Sequence, residues 1–207
     1  MNKKFYLIFA IGFFIATQSF AMKSFSDFGI SYHLLSETGQ INTDDGLRTA
    51  ITNISSISLD INPKLFPNTD SKVGFGVLLN WYFPLNLNIN LSDGRNASLS
   101  SSDFNKIYGL SFLFGPSINP INKEKFSLLI TPGICLNSLF MDAQKINSST
   151  LLFGLGAEVS TNFHLSNGFF LKLGLDYRYY FFHFGSESSG SELAYTLQPK
   201  IGFGRRI

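Results

Sequence analysis

The 207-residue sequence has one cysteine, Cys135, and this scarcity excludes two ways of stabilising a small protein. A single cysteine cannot form an intrachain disulfide, and it cannot supply the several thiolates of a structural zinc site. We expect Cys135 to be a small buried apolar side chain. Cofactor and metal chemistry are not expected, because histidines and carboxylates do not cluster at ligand spacing in the sequence.

Charge is also scarce, at 14% of residues, and it is balanced in sign. Removing Lys3 and Lys4, which lie in a leader segment, from the sixteen Lys and Arg leaves fourteen, equal to the fourteen Asp and Glu. The mature chain therefore lacks the excess of positive charge that nucleic-acid binding requires. So little charge beside 23 Phe and 8 Tyr is unusual for a surface that faces only water.

Long apolar runs are missing apart from the amino terminus. MNKKFYLIFAIGFFIATQSFA has a basic start, a short apolar stretch and small residues at its end, which is typical of a secretory signal peptide. The apolar stretch is shorter than a membrane-spanning helix requires. We predict cleavage after Ala21, which leaves a single domain at residues 22–207.

Alternation of apolar and polar residues fills most of that domain. In GFFLKLGLDYRYYFFHF, residues 168–184, alternate positions carry large apolar groups while Lys172, Asp176 and Arg178 share the other face. Period two indicates a strand with two different faces. We predict eight such strands, at 27–35, 49–61, 72–83, 106–118, 125–137, 151–165, 168–184 and 193–207.

The connections between these strands alternate in character. Those at 37–47, 84–103, 138–149 and 185–191 are polar and mostly long, whereas those at 62–71, 119–124 and 166–168 are mostly shorter. An even strand number with long and short connections at opposite ends is typical of an outer-membrane barrel. The fold class predicted is all-β, an eight-stranded antiparallel up-and-down transmembrane β-barrel.

Two irregularities need an explanation within this prediction. In the second strand Ile54 breaks the parity of Ile51 and Ile57, and we expect a bulge near residues 53–56. Pro116, Pro132 and Pro199 fall inside predicted strands, where only local bulges or displaced strand ends would accommodate them.

Side-chain size predicts which face is inside. The polar face is rich in glycine, including Gly74, Gly109, Gly156 and Gly202. Glycine has no side chain to pack on a sheet and weakens a solvent-facing strand, but it relieves crowding inside a narrow eight-stranded lumen. We therefore expect the glycine face to point inward and the aromatic face to meet lipid.

Lumen charges follow from the same assignment. A hairpin at Ser166–Gly168 would place Glu158 opposite Asp176 and Gly156 opposite Arg178. We predict a lumen charge network of Glu158, Lys172, Asp176, Arg178 and Lys200. It could be a gate in a water path, a pair of catalytic carboxylates, or ion pairing that keeps charge away from lipid.

The whole mature chain resembles the small eight-stranded outer-membrane barrels of the OmpX, OmpW and OmpA-barrel type. The resemblance rests on the signal peptide, the size, the eight alternating strands and the final TLQPKIGFGRRI. It implies that the carboxy-terminal strand, through Ile201, Phe203 and Ile207, is the signal read by the barrel-assembly machinery. The outward Arg205 and the terminal Ile207, in place of the usual Phe, depart from that pattern.

One tetrad, His164-Leu165-Ser166-Asn167, looks like the His-x-Ser-Asn of lipid A deacylases, in which a histidine activates a serine nucleophile. The topology places it in a short periplasmic turn, away from outer-leaflet lipid, so a hairpin turn is the favoured interpretation. No catalytic residue is assigned, and an enzyme remains the alternative function.

We therefore predict a non-enzymatic protein of the cell outer membrane, monomeric and in contact with outer-membrane lipid. It would act through polar surface loops on host or surface ligands, serve as a structural element of the envelope, or be a narrow porin-like channel. A soluble exported lipocalin-like barrel is the further alternative.

Overall fold

The computed structural model of the chain describes residues 23–43, 46–68, 70–143, 146–185 and 191–207. The predicted signal peptide and its cleavage site lie outside these residues. Strands make up most of the described chain, and its two helical segments are single 3-10 turns, Ser101–Asp103 and Ser166–Gly168. None of the described helices is long and apolar enough to cross a membrane.

Nine strands form one antiparallel sheet, and eight of them close into a barrel. They are β1 (Lys23–Thr43), β2 (Gly46–Phe66), β3 (Val73–Leu91), β4 (Asn96–Ser100), β5 (Lys106–Asn122), β6 (Phe126–Ala143), β7 (Ile146–His164), β8 (Phe169–Gly185) and β9 (Ser191–Arg206). Barrel strands pair in chain order, and β9 pairs with β1 to complete the ring. β4 is outside the ring and pairs with the upper part of β3. The predicted fold class is confirmed.

The two ends of the barrel differ. The short-turn end carries the connections at 67–72, 123–125 and 165–168, and there β1 and the carboxy terminus meet through the Ser24 amide and the Ile207 carbonyl, 2.7 Å apart. At the loop end β1 is followed by β2, β3 by β4 and then β5, β6 by β7, and β8 by β9. The end at which each connection lies agrees with the sequence prediction.

Strands run farther at the loop end than predicted. The segment 37–47, expected to be a loop, is mostly a paired extension in which β1 and β2 stay in register from Glu37↔Thr52 to Thr43↔Gly46. The segment 84–103 is likewise mostly a hairpin of β3 and β4. Alternation of hydrophobicity does not detect such extensions, because backbone pairing beyond the apolar band requires no lipid-facing side chains.

The apolar face points outward, as predicted. Ile30, Leu173 and Ile201 are each about half exposed, whereas Lys172 and Asp176 are buried inside the ring. Among the described outward residues, the tryptophan and most tyrosines lie in the loop half of the barrel, as with Trp81, which packs 5.1 Å from Phe83, and the stacked Tyr177 and Tyr195. Amphipathic aromatic residues occupy such positions at a membrane interface.

Inward glycines make room for large inward side chains. A Cβ on Gly109 would lie 1.9 Å from the Tyr82 ring, and one on Gly204 would lie 2.5 Å from the Phe170 ring. Side chains from eight strands share one narrow interior, so each bulky group needs a small neighbour. The interior is therefore filled by pairing large residues with glycine.

The irregularity at Ile54 has a different origin from the predicted one. β2 alternates without a break against β1, and Ile54 simply points into the lumen, where it is buried. The register shift lies at Ser55/Ser56 in the pairing with β3, and the extra residue is Leu85 of β3. The break in parity within β2 therefore comes from Ile54 alone, an apolar residue on the lumen face.

Prolines lie within strands where the hydrogen-bond ladder is interrupted, rather than at displaced strand ends. Between β5 and β6 the pairing stops after Phe114↔Ile134 and resumes at Ile118↔Ile130, so Pro116 and Pro132 share one gap. Pro199 falls in a gap of the β1–β9 pairing, between Ser31↔Lys200 and Leu34↔Leu197. A residue without an N–H is tolerated where the ladder requires no donor.

Candidate functional site in the barrel lumen

A lower apolar layer lies in the lumen toward the short-turn end. Phe25, Phe66, Leu129 and Phe170 are buried against one another. The Phe25 ring lies edge-on to Phe66 at 5.8 Å and to Phe170 at 5.9 Å. The inward positions of β1, β2, β6 and β8 supply these groups, so the layer spans the cross-section of the barrel.

An upper apolar layer lies toward the loop end. Its buried members are Leu35, Ile54, Leu78, Tyr82, Leu87, Leu113, Cys135, Leu139, Leu152, Tyr180 and Ala194. The prediction that Cys135 is a buried apolar side chain is confirmed. The Tyr82 hydroxyl donates to Asn137 Oδ1 at 2.8 Å, and its ring meets that of His33 edge-on at 4.2 Å. This layer is therefore packed by aliphatic groups and anchored by a satisfied phenol.

Between the two layers lies a charged middle layer, whose lower group is centred on Glu158. Glu158 pairs with Lys64 through one carboxylate oxygen and with Lys172 Nζ at 2.6 Å through the other. Lys172 also lies 3.2 Å from both oxygens of Asp27, which in turn accepts a hydrogen bond from Asn62 at 2.7 Å. Cations and carboxylates alternate along this chain of contacts.

The upper group of the middle layer is centred on Arg178. Its guanidinium donates to both oxygens of Asp176, with Nε at 3.1 Å from each, and to Asn80 Oδ1 and Ser111 Oγ. Lys200 Nζ lies 3.1 Å from Asp176. Asn80 then donates to Asp60 at 2.6 Å. A guanidinium held at three of its nitrogens is fixed in position.

The register predicted across the β7–β8 hairpin is present: Glu158 faces Asp176 and Gly156 faces Arg178. All five residues of the predicted network are buried in the lumen, but in two groups, because Glu158 contacts Lys64 and Lys172 rather than Arg178.

Sequence reasoning missed three members of the layer. Asp27 lay on the polar face of the first predicted strand, and that parity could have identified it. Asp60 followed the same parity in the second strand, where the misplaced bulge obscured it. Lys64 fell in a segment taken for a turn, although β2 continues to Phe66.

Charge in the middle layer is balanced, with four cations (Lys64, Lys172, Arg178 and Lys200) and four carboxylates (Asp27, Asp60, Glu158 and Asp176), all buried. Seven of these residues form ion pairs, and Asp60 accepts hydrogen bonds from Ser58 and Asn80. Buried charges are tolerated when they are paired or hydrogen-bonded. The two apolar layers lie between these carboxylates and the ends of the barrel. The arrangement favours ion pairing over acid–base chemistry.

The deacylase-like tetrad forms the β7–β8 turn at the short-turn end. Asn167 and Gly168 have φ values of 60° and 79°, the left-handed region that closes a tight turn. The His164 ring packs near Phe25 and Phe170, and its Nε2 has no hydrogen-bond partner among the described residues. A serine activated by a histidine is therefore not seen in the described turn.

Polar contacts also organise the loop end. His183 Nδ1 lies 3.0 Å from Glu37. In the β3–β4 turn Asp93 accepts hydrogen bonds from the Arg95 side chain at 2.8 Å and backbone at 3.0 Å, and these lower the pKa of the Asp93 carboxyl. Above the barrel, β3 and β4 present a polar face of Asn86, Asn88, Asn90, Asn96, Ser98 and Ser100.

The residues of the predicted assembly signal lie on the outer face of β9 and at its end. Ile201, Phe203 and Ile207 are each about half exposed. Their recognition by assembly machinery stays a prediction.

Neither a protein-family profile nor a curated protein matches this chain. Solved structures do. The outer membrane protein OprG from Pseudomonas aeruginosa superposes with a TM-score of 0.58 at 14% identity, covering 90% of this chain and 96% of that one. Neisserial surface protein A (NspA) superposes with a TM-score of 0.53 at 10% identity, covering 88% and 96%. Together with the closed ring of eight strands, these likenesses show that the chain has the fold of the small eight-stranded outer-membrane β-barrels.

Proposed function

We propose that this chain is an integral, non-enzymatic outer-membrane barrel with a closed lumen, and that it acts through the surface at its loop end. In this proposal residues 1–21 are removed on export and residues 22–207 form the barrel. The observation that carries it is the filled interior, with apolar layers above and below a neutral ion-paired layer. An interior packed in this way stabilises the barrel. Functional contacts are then made by the outer surface at the loop end.

A channel is disfavoured by the same packing. An ion crossing the lumen would have to displace the Phe25, Phe66 and Phe170 cluster and then pass an Arg178 held by Asp176, Asn80 and Ser111. Each displaced group would lose buried contacts or leave a charge unpaired. Conduction therefore requires rearrangement in more than one layer.

The loop-end surface suits contact with polar partners. Asn88 accepts from Ser98 Oγ at 2.7 Å, and the amides and hydroxyls beside this pair on the β3–β4 hairpin are exposed. Uncharged donors and acceptors on a paired strand scaffold are held in fixed positions, which lowers the entropy cost of binding. Surface sugars and proteins of a host or a neighbouring cell are the partner classes proposed.

Planar-bilayer recording of the refolded, detergent-solubilised protein tests the closed lumen. We expect no unitary conductance from the wild type or from Phe170→Ala, because the upper layer and the ion-paired layer still close the interior. Steady single-channel steps from the wild type would overturn the closed-lumen proposal. Recovery of the expressed protein in the outer-membrane fraction, with heat-modifiable gel migration, tests its location.

Mass spectrometry of lipid A from cells with and without the protein tests the enzyme alternative. We expect identical acyl chain numbers. Loss of an acyl chain in cells with the wild type, but not with Ser166→Ala, would contradict the non-enzymatic proposal.

A further inference from the structure

Arg205 is a charged residue on the face of the barrel that otherwise meets lipid. It follows Ile201 and Phe203 on the exposed side of β9, while Gly202 and Gly204 between them are buried. The side chain therefore projects sideways from the wall at the short-turn end, in the plane of a membrane, rather than into the lumen.

The guanidinium of Arg205 lies over one aromatic ring, and that ring stacks on a second. Arg205 pairs in register with Phe169 of β8, and its guanidinium carbon lies 5.7 Å from the Phe169 ring centroid. The rings of Phe169 and Phe203 stack at 5.3 Å with an interplanar angle of 15°. On the other side Arg205 faces Ser26 of β1. In the described chain no ion pair with a carboxylate neutralises Arg205, so its donors remain available.

The rim around Arg205 carries an excess of positive charge. The described residues at the short-turn end include six cations, Lys23, Lys72, Lys123, Lys125, Arg205 and Arg206, against the side-chain carboxylates of Asp70 and Glu124 and the terminal carboxylate of Ile207. Most of these rim groups are exposed. Since the lumen layer is neutral, this excess is not offset from within the barrel.

A charged side chain on a lipid-facing wall is costly unless it reaches the headgroup region. A planar guanidinium there can donate two parallel hydrogen bonds to a phosphate, and stacked aromatic rings beside it fit the boundary between acyl chains and headgroups. The surrounding cations favour a lipid with net negative charge over a zwitterionic one.

We propose that Arg205, with Phe169 and Phe203, binds the phosphate of an anionic glycerophospholipid in the leaflet at the short-turn end. This inference rests on the proposed membrane location of the barrel. It is independent of what the loop end binds.

Electron spin resonance of spin-labelled phosphatidylglycerol and phosphatidylcholine in vesicles with reconstituted protein tests it. The measured quantity is the relative association of each lipid with the motionally restricted shell around the barrel. We expect the wild type to prefer phosphatidylglycerol, and Arg205→Gln to reduce that preference up to about fivefold, the loss of one near-surface cation. Arg205→Lys should retain part of the preference, and added salt should weaken it.

Arg95→Gln, at the opposite end, is the matched control and should keep the wild-type preference. Heat-modifiable migration confirms that each variant is folded. An equal lipid preference in wild type and Arg205→Gln would overturn the inference while leaving the proposed function intact. Failure of the folded wild type to insert into vesicles would overturn both.

Discussion

At the scale of single residues, the Glu158 carboxylate joins two buried cations. It is the shared partner of Lys64 and Lys172, and Lys64 has no other described carboxylate within ion-pair distance. Burying a charge without its partner is far more costly than burying neither. The stability of the lumen therefore depends on this carboxylate.

Glu158→Gln should lower the free energy of unfolding by about 3–5 kcal/mol, because it leaves the Lys64 ammonium buried and unpaired. Denaturant titration in lipid, followed by the fluorescence of Trp81, the single tryptophan, measures it. Lys64→Met combined with Glu158→Gln should recover part of the loss. A single variant as stable as the wild type would show that the ion pair contributes nothing.

The inward glycines are constrained by space rather than by backbone angle. Gly109→Ala would place a methyl group inside the Tyr82 ring, so the ring must move out of the upper layer. Overpacking of this kind costs about 1–3 kcal/mol or more. The same denaturant titration should show the loss for Gly109→Ala.

Gly174→Ala provides the control, because its new Cβ would meet the nearest atom, Ser160 Cβ, at 3.3 Å, a contact that a small shift relieves. We expect its unfolding midpoint to remain close to that of the wild type. Equal losses in the two variants would contradict the role assigned to the space around Tyr82.

At the scale of elements, β4 differs from the eight other strands. It pairs with β3 above the ring and contributes nothing to barrel closure. Its polar face is exposed, whereas the barrel strands owe their stability to lipid-facing and lumen-facing packing. Removing the hairpin tip should therefore separate folding from surface contact.

Replacing residues 90–96 with Asn-Gly would join Ile89 to Ala97, which are already register partners, through a two-residue turn. We expect heat-modifiable migration and outer-membrane recovery to stay at wild-type levels while binding of cells or surface sugars falls. A variant that no longer folds would show that the hairpin stabilises the barrel. Replacing Asp93 alone by Asn is the milder control, since it removes only the contacts to Arg95 and Arg48.

At the scale of the whole molecule, closure joins the first and last strands. β1 pairs with β9, and the Ile207 amide donates to the Ser24 carbonyl at 3.0 Å. The ring is complete only when β9 has paired with β1.

Ile207→Ser keeps the backbone contact but removes an exposed apolar side chain. If Ile201, Phe203 and Ile207 are read by assembly machinery, the variant should insert several-fold less efficiently in cells while refolding normally into detergent micelles. Leu165→Ser, exposed at the same end, is the control and should insert normally. Equal insertion of the two variants would remove Ile207 from the assembly signal.

Sequence alone determined the architecture because alternation is a local property. Residues 168–184 separate an apolar face from Lys172, Asp176 and Arg178 without reference to any other strand, and glycine on the charged face indicates a narrow interior. The β7–β8 register also followed locally, from a three-residue turn whose length fixes the pairing.

Only the tertiary structure decided which side chains meet inside the lumen. The ion pairs Lys64–Glu158 and Asp27–Lys172 join residues 94 and 145 positions apart, and no periodicity reports which inward groups share a level of the barrel. The apolar layers likewise combine side chains from several strands, and the closed interior exists only once the ring has closed. The alternation of residues within a strand thus specifies whether each side chain points into or out of the barrel. The relative shift of the paired strands determines which other side chains it contacts.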